Sequence, residues 1–318
     1  MSRTNELRMI TRVAQMYHLE GLKQSDISDL LRISQASVSR LLKRAESEGI
    51  VRVSIVAPSG TYPDLESAIR EKFGISEVIV ADCREDNDDA VFSAIGIAAA
   101  HLLEQTLEDG DVIGVSSWSA TLQQMLDNIH PIKRVRAERV IQLLGGIGVP
   151  SAQIHATQLT TRLAHLINGE PQLLPAPCVT GSPESKRILV SDPQVKATVD
   201  QFKRVTTAFV GIGAMAPSQN LIYSGNTFTQ AELQELASRG AVGDICLRFY
   251  TADGEPLAGE IYERVVGMTL EELRAVPRVI GTAGGKRKTA AIAGALRGKL
   301  IDVLITDRFT AERLSEFT

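Results

Sequence analysis

The feature that most restricts this chain is a rhythm repeated between residues 77 and 307: a short continuous apolar run, a glycine-containing turn, then a stretch of helical spacing. The runs are EVIVADC (77–83), DVIGVS (111–116), ERVIQLLG (138–145), TTAFVGIG (206–213), RVIGTAG (278–284) and IDVLITD (301–307). Helices are expected over 88–108, 151–168, 229–239 and 286–297, with capping boxes at Thr229 (TQAE) and Thr269 (TLEE). Strands that are apolar on both faces cannot leave either face in water, so they belong in a parallel sheet covered by helices on both sides. Such a sheet binds ligands beyond the carboxyl ends of its strands, where helix N-termini present free N–H groups. In this sequence the glycines lie at those ends.

The rhythm is missing from the first part of the chain. APSGTYP (57–63) interrupts both helical and strand patterning and reads as a linker, dividing the chain into residues 1–57 and 58–318. In the first part Leu7, Ile10, Val13, Ala14 and Tyr17 mark one helix face, which closes at Gly21. Ser25 is expected to cap a second helix that buries Ile27, Leu30 and Leu31. Ser34 is expected to cap a third that buries Val38, Leu41, Leu42 and Ala45. The two meet across a corner near residues 32–34, the pattern of a helix-turn-helix, and IVRVSIV (50–56) alternates as a strand that would form a small wing.

In a helix-turn-helix the second helix enters the major groove, so the residues that cannot face the core do the reading. Those are Gln35, Ala36, Ser39, Arg40 and Lys43, with Ser34 at the helix mouth and Ser37 and Arg44 at the margins. Gln35 suits adenine and Arg40 guanine, while Lys43 and Arg44 suit phosphates. SQASVSRLLKRAE alone fits a solvated amphipathic helix equally well; the preceding helix and corner favour double-stranded DNA. Charge points the same way. The net charge is −4, yet residues 1–57 carry nine Lys and Arg against six Asp and Glu, a balance of +3 that leaves −7 for the rest.

In the larger part, TAGGKRKTAAIAGALRG (282–298) sets Lys286, Arg287 and Lys288 behind two glycines at the start of a helix. It fails as a nucleotide-triphosphate loop, because Arg287 stands where Ser or Thr is needed and Gly281 comes one place too late. GIGAMA (211–216) satisfies a loose dinucleotide pattern, but Pro217 and a polar stretch follow it instead of an apolar helix. No cofactor is therefore expected. What remains is a small anion held at Gly284 and Gly285 with Lys288 folding back over it. GVSSWSATL (114–122) offers the other half of a pocket, with Ser116, Ser117, Ser119 and Thr121 around Trp118. Hydroxyls and N–H groups suit phosphate oxygens, and an indole face suits the apolar side of a sugar. The competing reading of each loop is an N-cap cluster with a core tryptophan.

Composition closes several other routes. The densest apolar stretch, AIGIAAAHLL (94–103), is about half the roughly 20 residues of a membrane-spanning helix, and no secretory signal is evident, so a cytoplasmic protein is expected. Cys83, Cys178 and Cys246 are odd in number and far apart, which indicates neither a disulfide framework nor a zinc site. His155 and His165 fall on different faces of one helix, so no metal pair is expected. Helix one and AIGIAAAHLL are the candidate contacts of a homo-oligomer, although core burial explains the second equally well.

Taken in order, QSDISDLLRISQASVSRLLKRAESEGIV, GVSSWSATL, QLLGG, VGIG, GAVGDICLRFYTADGEPL, TAGGKRKTAAIAGALRG and IDVLITD resemble the SorC family of bacterial transcription regulators, grouped with the DeoR-type sugar regulators, over nearly the whole chain. The resemblance implies an N-terminal winged helix-turn-helix followed by a Rossmann-like parallel α/β effector domain similar in fold to glucosamine-6-phosphate deaminase. It also implies a phosphorylated sugar or polyol as effector and a dimeric or tetrameric assembly. By motif, the phosphate falls to the Ser116–Thr121 loop and to Lys288, the sugar to Asp244, and main-chain lining to Gly145, Gly146, Gly211 and Gly213. Ser119 stands where many relatives have glycine. A sugar-phosphate isomerase or deaminase is the alternative on such a fold, but VGIG is followed by AMAPSQNLIYSG, which has no His, Asp or Glu, and Asp244, the candidate base, is a lone carboxylate of the kind that more often binds sugar hydroxyls than turns them over. The expectation is a regulator whose affinity for operator DNA its effector controls.

Overall fold

Three helices open the chain in the computed structural model, which describes residues 3–51, 58–147, 150–216 and 228–317. They are α1 (Arg3–His18), α2 (Gln24–Leu31) and α3 (Gln35–Ser47). Residues Met1–Pro58 and Ser59–Thr318 form two separately compact units. In the smaller one, Val13, Met16, Ile27, Val38 and Leu42 make one buried cluster and Ile10, Ala14 and Ala45 another. Met16 takes the inward place expected of Tyr17, which is 39% exposed. Ser34 caps α3 as expected, its Oγ accepting the Ser37 N–H at 3.2 Å. Ser25 does not cap α2. The first backbone bond runs from Ile27 N–H to Lys23 O, so Ser25 lies inside the first turn with its hydroxyl on Asp26. Leu30 is likewise 63% exposed, because an eight-residue helix turns only Ile27 and the half-buried Leu31, one turn apart, toward its neighbours. The corner falls at Arg32, which is left-handed at φ 53°. The expected wing strand lies almost wholly outside the described residues.

All six expected strands are found in one sheet. It has seven strands, all parallel, in the order β1 (Glu77–Ala81), β10 (Val303–Asp307), β9 (Arg278–Thr282), β5 (Thr207–Gly211), β2 (Val112–Val115), β3 (Arg139–Gln142) and β4 (Glu170–Gln172). Alternate residues feed two cores. Ala208, Val210 and Leu304 point to one side, and Phe209, Val303 and Ile305 to the other. The helices α4 (Pro63–Phe73), α5 (Asp88–Thr106) and α6 (Ala120–Asn128) belong to this unit, as does a second, antiparallel sheet of β6 (Gly213–Ala214), β7 (Ala241–Ile245) and β8 (Arg248–Thr251). Both capping boxes are present, at Thr229 and Thr269. Helix α5 approaches α6 closely at Gly96, where a Cβ would stand 2.6 Å from the Gln124 carbonyl carbon.

Candidate functional site

The strand order reverses between β2 and β5: from β2 the chain proceeds outward through β3 and β4, and from β5 it goes the other way through β9 and β10. Adjacent loops diverge there and leave a crevice at the carboxyl ends. Ser116, the residue after β2, stitches the two sides together, its N–H on Phe209 O at 3.2 Å and its Oγ accepting the Gly211 N–H at 3.0 Å. Ser119 caps α6 by accepting the Leu122 N–H, which leaves the first N–H groups of α6 without helical partners beside the crevice. A Cβ on Gly211 would lie 2.6 Å from that serine hydroxyl, so only glycine leaves room.

The opposite wall is the β7–β8 hairpin. Its two turn residues, Cys246 and Leu247, are both left-handed at φ 52° and 58°, a strained choice for residues with side chains. Asp244 braces the turn by accepting the Leu247 N–H at 2.9 Å. Across the register from Asp244 is Gly213, where a Cβ would collide with the carboxylate. Burial pushes the Asp244 carboxyl up to about 6, against the opposing pull of the Leu247 N–H and the Lys288 charge. Burial lowers the Lys288 pKa, with Asp244 and Asp88 acting the other way. Lys288 makes no salt bridge among the described residues, and its Nζ lies 5.7 Å from the centroid of the Phe92 ring. Arg287, by contrast, is paired with Asp88 at 3.5 Å.

Between these walls is a cavity of about 340 Å³, at the small end for ligand pockets and suited to one small metabolite. It brings together Ser116, Trp118, Ser119, Gly211, Gly213, Asp244 and Lys288. The other expected residues stand behind it. Ser117 donates to Leu144 O at 3.1 Å, and Thr121 to Thr282 O at 3.0 Å. The Gly145 and Gly146 N–H groups are spent on Val266 O and Ala176 O, so Leu144 forms the wall there. At Gly284 and Gly285, one of the expected N–H groups is already taken. The Gly285 N–H is held by Thr310 Oγ1 at 2.7 Å and by Asp307 at 3.2 Å, and a Cβ on Gly284 would strike the Asp307 carboxylate. These bonds fix the turn that carries Lys288.

Chemically the cavity can accept hydroxyl donors on Asp244, an anion on Lys288 and the α6 N-terminus, and an apolar face against Trp118 and Leu144. The indole N–H is occupied by Cys178 Sγ at 3.1 Å, which fixes the ring as a platform. Burial raises the Cys178 and Cys246 thiols to about 12, so both are neutral at physiological pH.

Residues 59–315 match the family described as "Putative sugar-binding domain". The chain belongs to that family. It is 32% identical over 301 residues to the deoxyribonucleoside regulator of Bacillus subtilis (strain 168), covering 95% of each chain. Two solved structures are similar to it. The sugar-binding domain of the transcriptional regulator DeoR from Pseudomonas syringae pv. tomato is 42% identical with a TM-score of 0.65, covering 80% of this chain and 100% of its own. The full-length sorbitol operon regulator SorC of Klebsiella pneumoniae is 29% identical with a TM-score of 0.73, covering 97% and 98%. These relatives are transcriptional regulators, not enzymes, and the chain is a sugar-responsive regulator of the SorC type.

Along α3 and its cap in this SorC-type regulator, Ser34, Gln35, Ala36, Arg40 and Lys43 are exposed, and Ser37, Ser39 and Arg44 are half-buried. Arg44 is already paired with Glu6 and Glu48, so Lys43 is the freer cation of the two. Sequence reasoning missed Asp88, Asp89 and Phe92 at the start of α5, and also Leu144, Cys246 and Leu247. Nothing local marks them. Asn87 caps α5 like any surface helix, and a two-residue hairpin normally announces itself with Asn-Gly rather than Cys-Leu. No helix among the described residues is long and apolar enough to cross a membrane.

Proposed function

We propose that the large unit binds one phosphorylated pentose, hexose or polyol in the 340 Å³ cavity, and that occupancy changes the grip of the helix-turn-helix on operator DNA. The observation that carries this is the pairing of Asp244, free to accept sugar hydroxyls, with the uncommitted Lys288 ammonium inside one cavity at the sheet's switch point. The names of the relatives, a deoxyribonucleoside regulator and a sorbitol operon regulator, favour a pentose or hexitol skeleton. Gln35 and Arg40 read bases in this proposal, Lys43 meets phosphate, and the regulator works in the cytoplasm as a dimer or tetramer that presents paired recognition helices to half-sites about 34 Å or multiples apart. The units expected at 1–57 and 58–318 divide these tasks.

Gel shifts on the promoter beside the protein's own gene test the reading. Arg40→Ala is expected to weaken binding by about 1–3 kcal/mol while leaving the effector response intact. Lys288→Ala is expected to keep DNA affinity and lose the response to sugar phosphates. An unaltered response would remove Lys288 from the site. A thermal-shift panel of pentose and hexitol phosphates identifies the effector, since a ligand at 100 times its Kd adds about 2.7 kcal/mol of stability.

A further inference from the structure

The chain enters the large unit through Ser59, Gly60, Thr61 and Tyr62, and the last of these is fastened down. Tyr62 donates its hydroxyl to Asp82 at 2.6 Å, and the Arg308 charge lies close enough to oppose the upward pull of Asp82 on that hydroxyl's pKa. Gly60, at φ 85°, bends the segment over the Asp82 carboxylate, which lies 3.4 Å from where its Cβ would be. Asp82 and Arg308 come to the same end of the sheet because β1 and β10 run parallel with Ala81 opposite Asp307, and each is the first residue beyond its strand.

The residue before Arg308 is the one that holds the pocket turn. Asp307 is completely buried and receives the Gly285 N–H, the Thr310 N–H at 3.0 Å and the Thr310 hydroxyl at 2.6 Å. One backbone step therefore separates the carboxylate gripping the turn that carries Lys288 from the guanidinium beside the entry segment. Arg308 Nε is buried and has no hydrogen-bond partner among the described residues, and the guanidinium stacks over the Phe309 ring at 4.4 Å. A second tie runs alongside: Arg313 pairs with Asp86, just before α5, whose first residues Asp88 and Asp89 line the cavity.

We propose that Tyr62, Asp82 and Arg308 form a latch on the segment leading to the helical unit, tied through Asp307 to the turn that bears Lys288, so that movement of the turn and release of the latch occur together. The tie does not depend on what the cavity binds; its use in a ligand response rests on the proposed function.

Amide hydrogen exchange on the full chain tests it without any ligand. Tyr62→Phe removes one half-exposed hydroxyl and leaves the ring. Exchange in residues 59–66 is expected to rise roughly three- to tenfold, the equilibrium factor of one lost hydrogen bond. Exchange at 284–288 is expected to rise with it, while the opposite strand ends around Glu77 and Arg278 keep their protection. In the reverse direction, Thr310→Val, which removes one of the two acceptors of the Gly285 N–H, is expected to loosen 59–66. Loosening of 59–66 alone in Tyr62→Phe, with 284–288 protected as in the parent, overturns the proposal, and so does no loosening at all. The thermal-shift panel stands apart from this result: linked exchange with no sugar-phosphate shift sinks the proposed effector and leaves the latch standing.

Discussion

Asp244 gives the cavity a pH signature in the acid range. Its carboxyl is raised from 3.8 to about 6, so the folded chain holds this proton more tightly than the unfolded one. It therefore adds stability below pH 3.8, and that contribution is lost as the pH climbs through about 6. Asp244→Asn keeps an acceptor for the Leu247 N–H but cannot ionise. Its melting temperature is expected to gain on the parent's as pH rises across that window; a difference that stays flat would show that the carboxyl titrates normally. Sugar hydroxyls favour the charged form, so ligand affinity in the parent is expected to strengthen with pH through about 6 beyond what the phosphate's own titration gives, and the variant supplies that baseline. Two residues expected at the cavity were legible where their chemistry is rare: Lys288 behind two glycines and the one tryptophan. Arg248 was not. It is 1% exposed, donates to the carbonyls of Tyr262, Val265, Gly267 and Met268, and stacks on Tyr262. In sequence an arginine in an apolar strand has no feature that tells it from a surface cation, because its partners are backbone groups about 14 to 20 residues away.

At the scale of elements, the strands of the large sheet were readable because each is apolar on both faces, a pattern with few other uses. β4 was not, since Glu170, Pro171 and Gln172 form a polar edge strand, and β6 is only two residues long. At the expected phosphate loop of Gly284 and Gly285 the occupied N–H was hidden for a similar reason. The sequence displays free N–H groups, but not the Asp307 and Thr310 side chains that arrive from another strand end to take one of them. Glycine also sets the spacing between elements. At Gly96 the outer helices α5 and α6 touch through backbone, so Gly96→Val is expected to force them apart and destabilise the unit by about 1–3 kcal/mol, readable as a lowered urea midpoint. Because α5 begins with Asp88 and Asp89 at the cavity, a weaker sugar-phosphate shift is expected in the same variant.

The whole molecule divides into a basic small unit and an acidic large one, and the division was legible from charge and from the break in patterning at residues 57–63. The large unit has its own two cores, and the similar Pseudomonas syringae structure covers that domain alone. A chain starting at Ser59 is accordingly expected to keep the thermal shift with sugar phosphate and to lose operator binding; loss of both would place part of the cavity's support in the first 58 residues. Assembly and operator sequence were not legible, because both depend on surfaces that meet only in another molecule.

The pairing of β1 with β10 also governs how such a chain emerges from the ribosome. Among the described residues β1 is the first strand of its sheet to be synthesised, yet it pairs there with β10, made about 220 residues later. The three-helix unit closes on contacts within about 45 residues and can mature while translation continues. The sensor must wait, and during that interval β1 is an unsatisfied apolar edge that nascent-chain chaperones would have to cover.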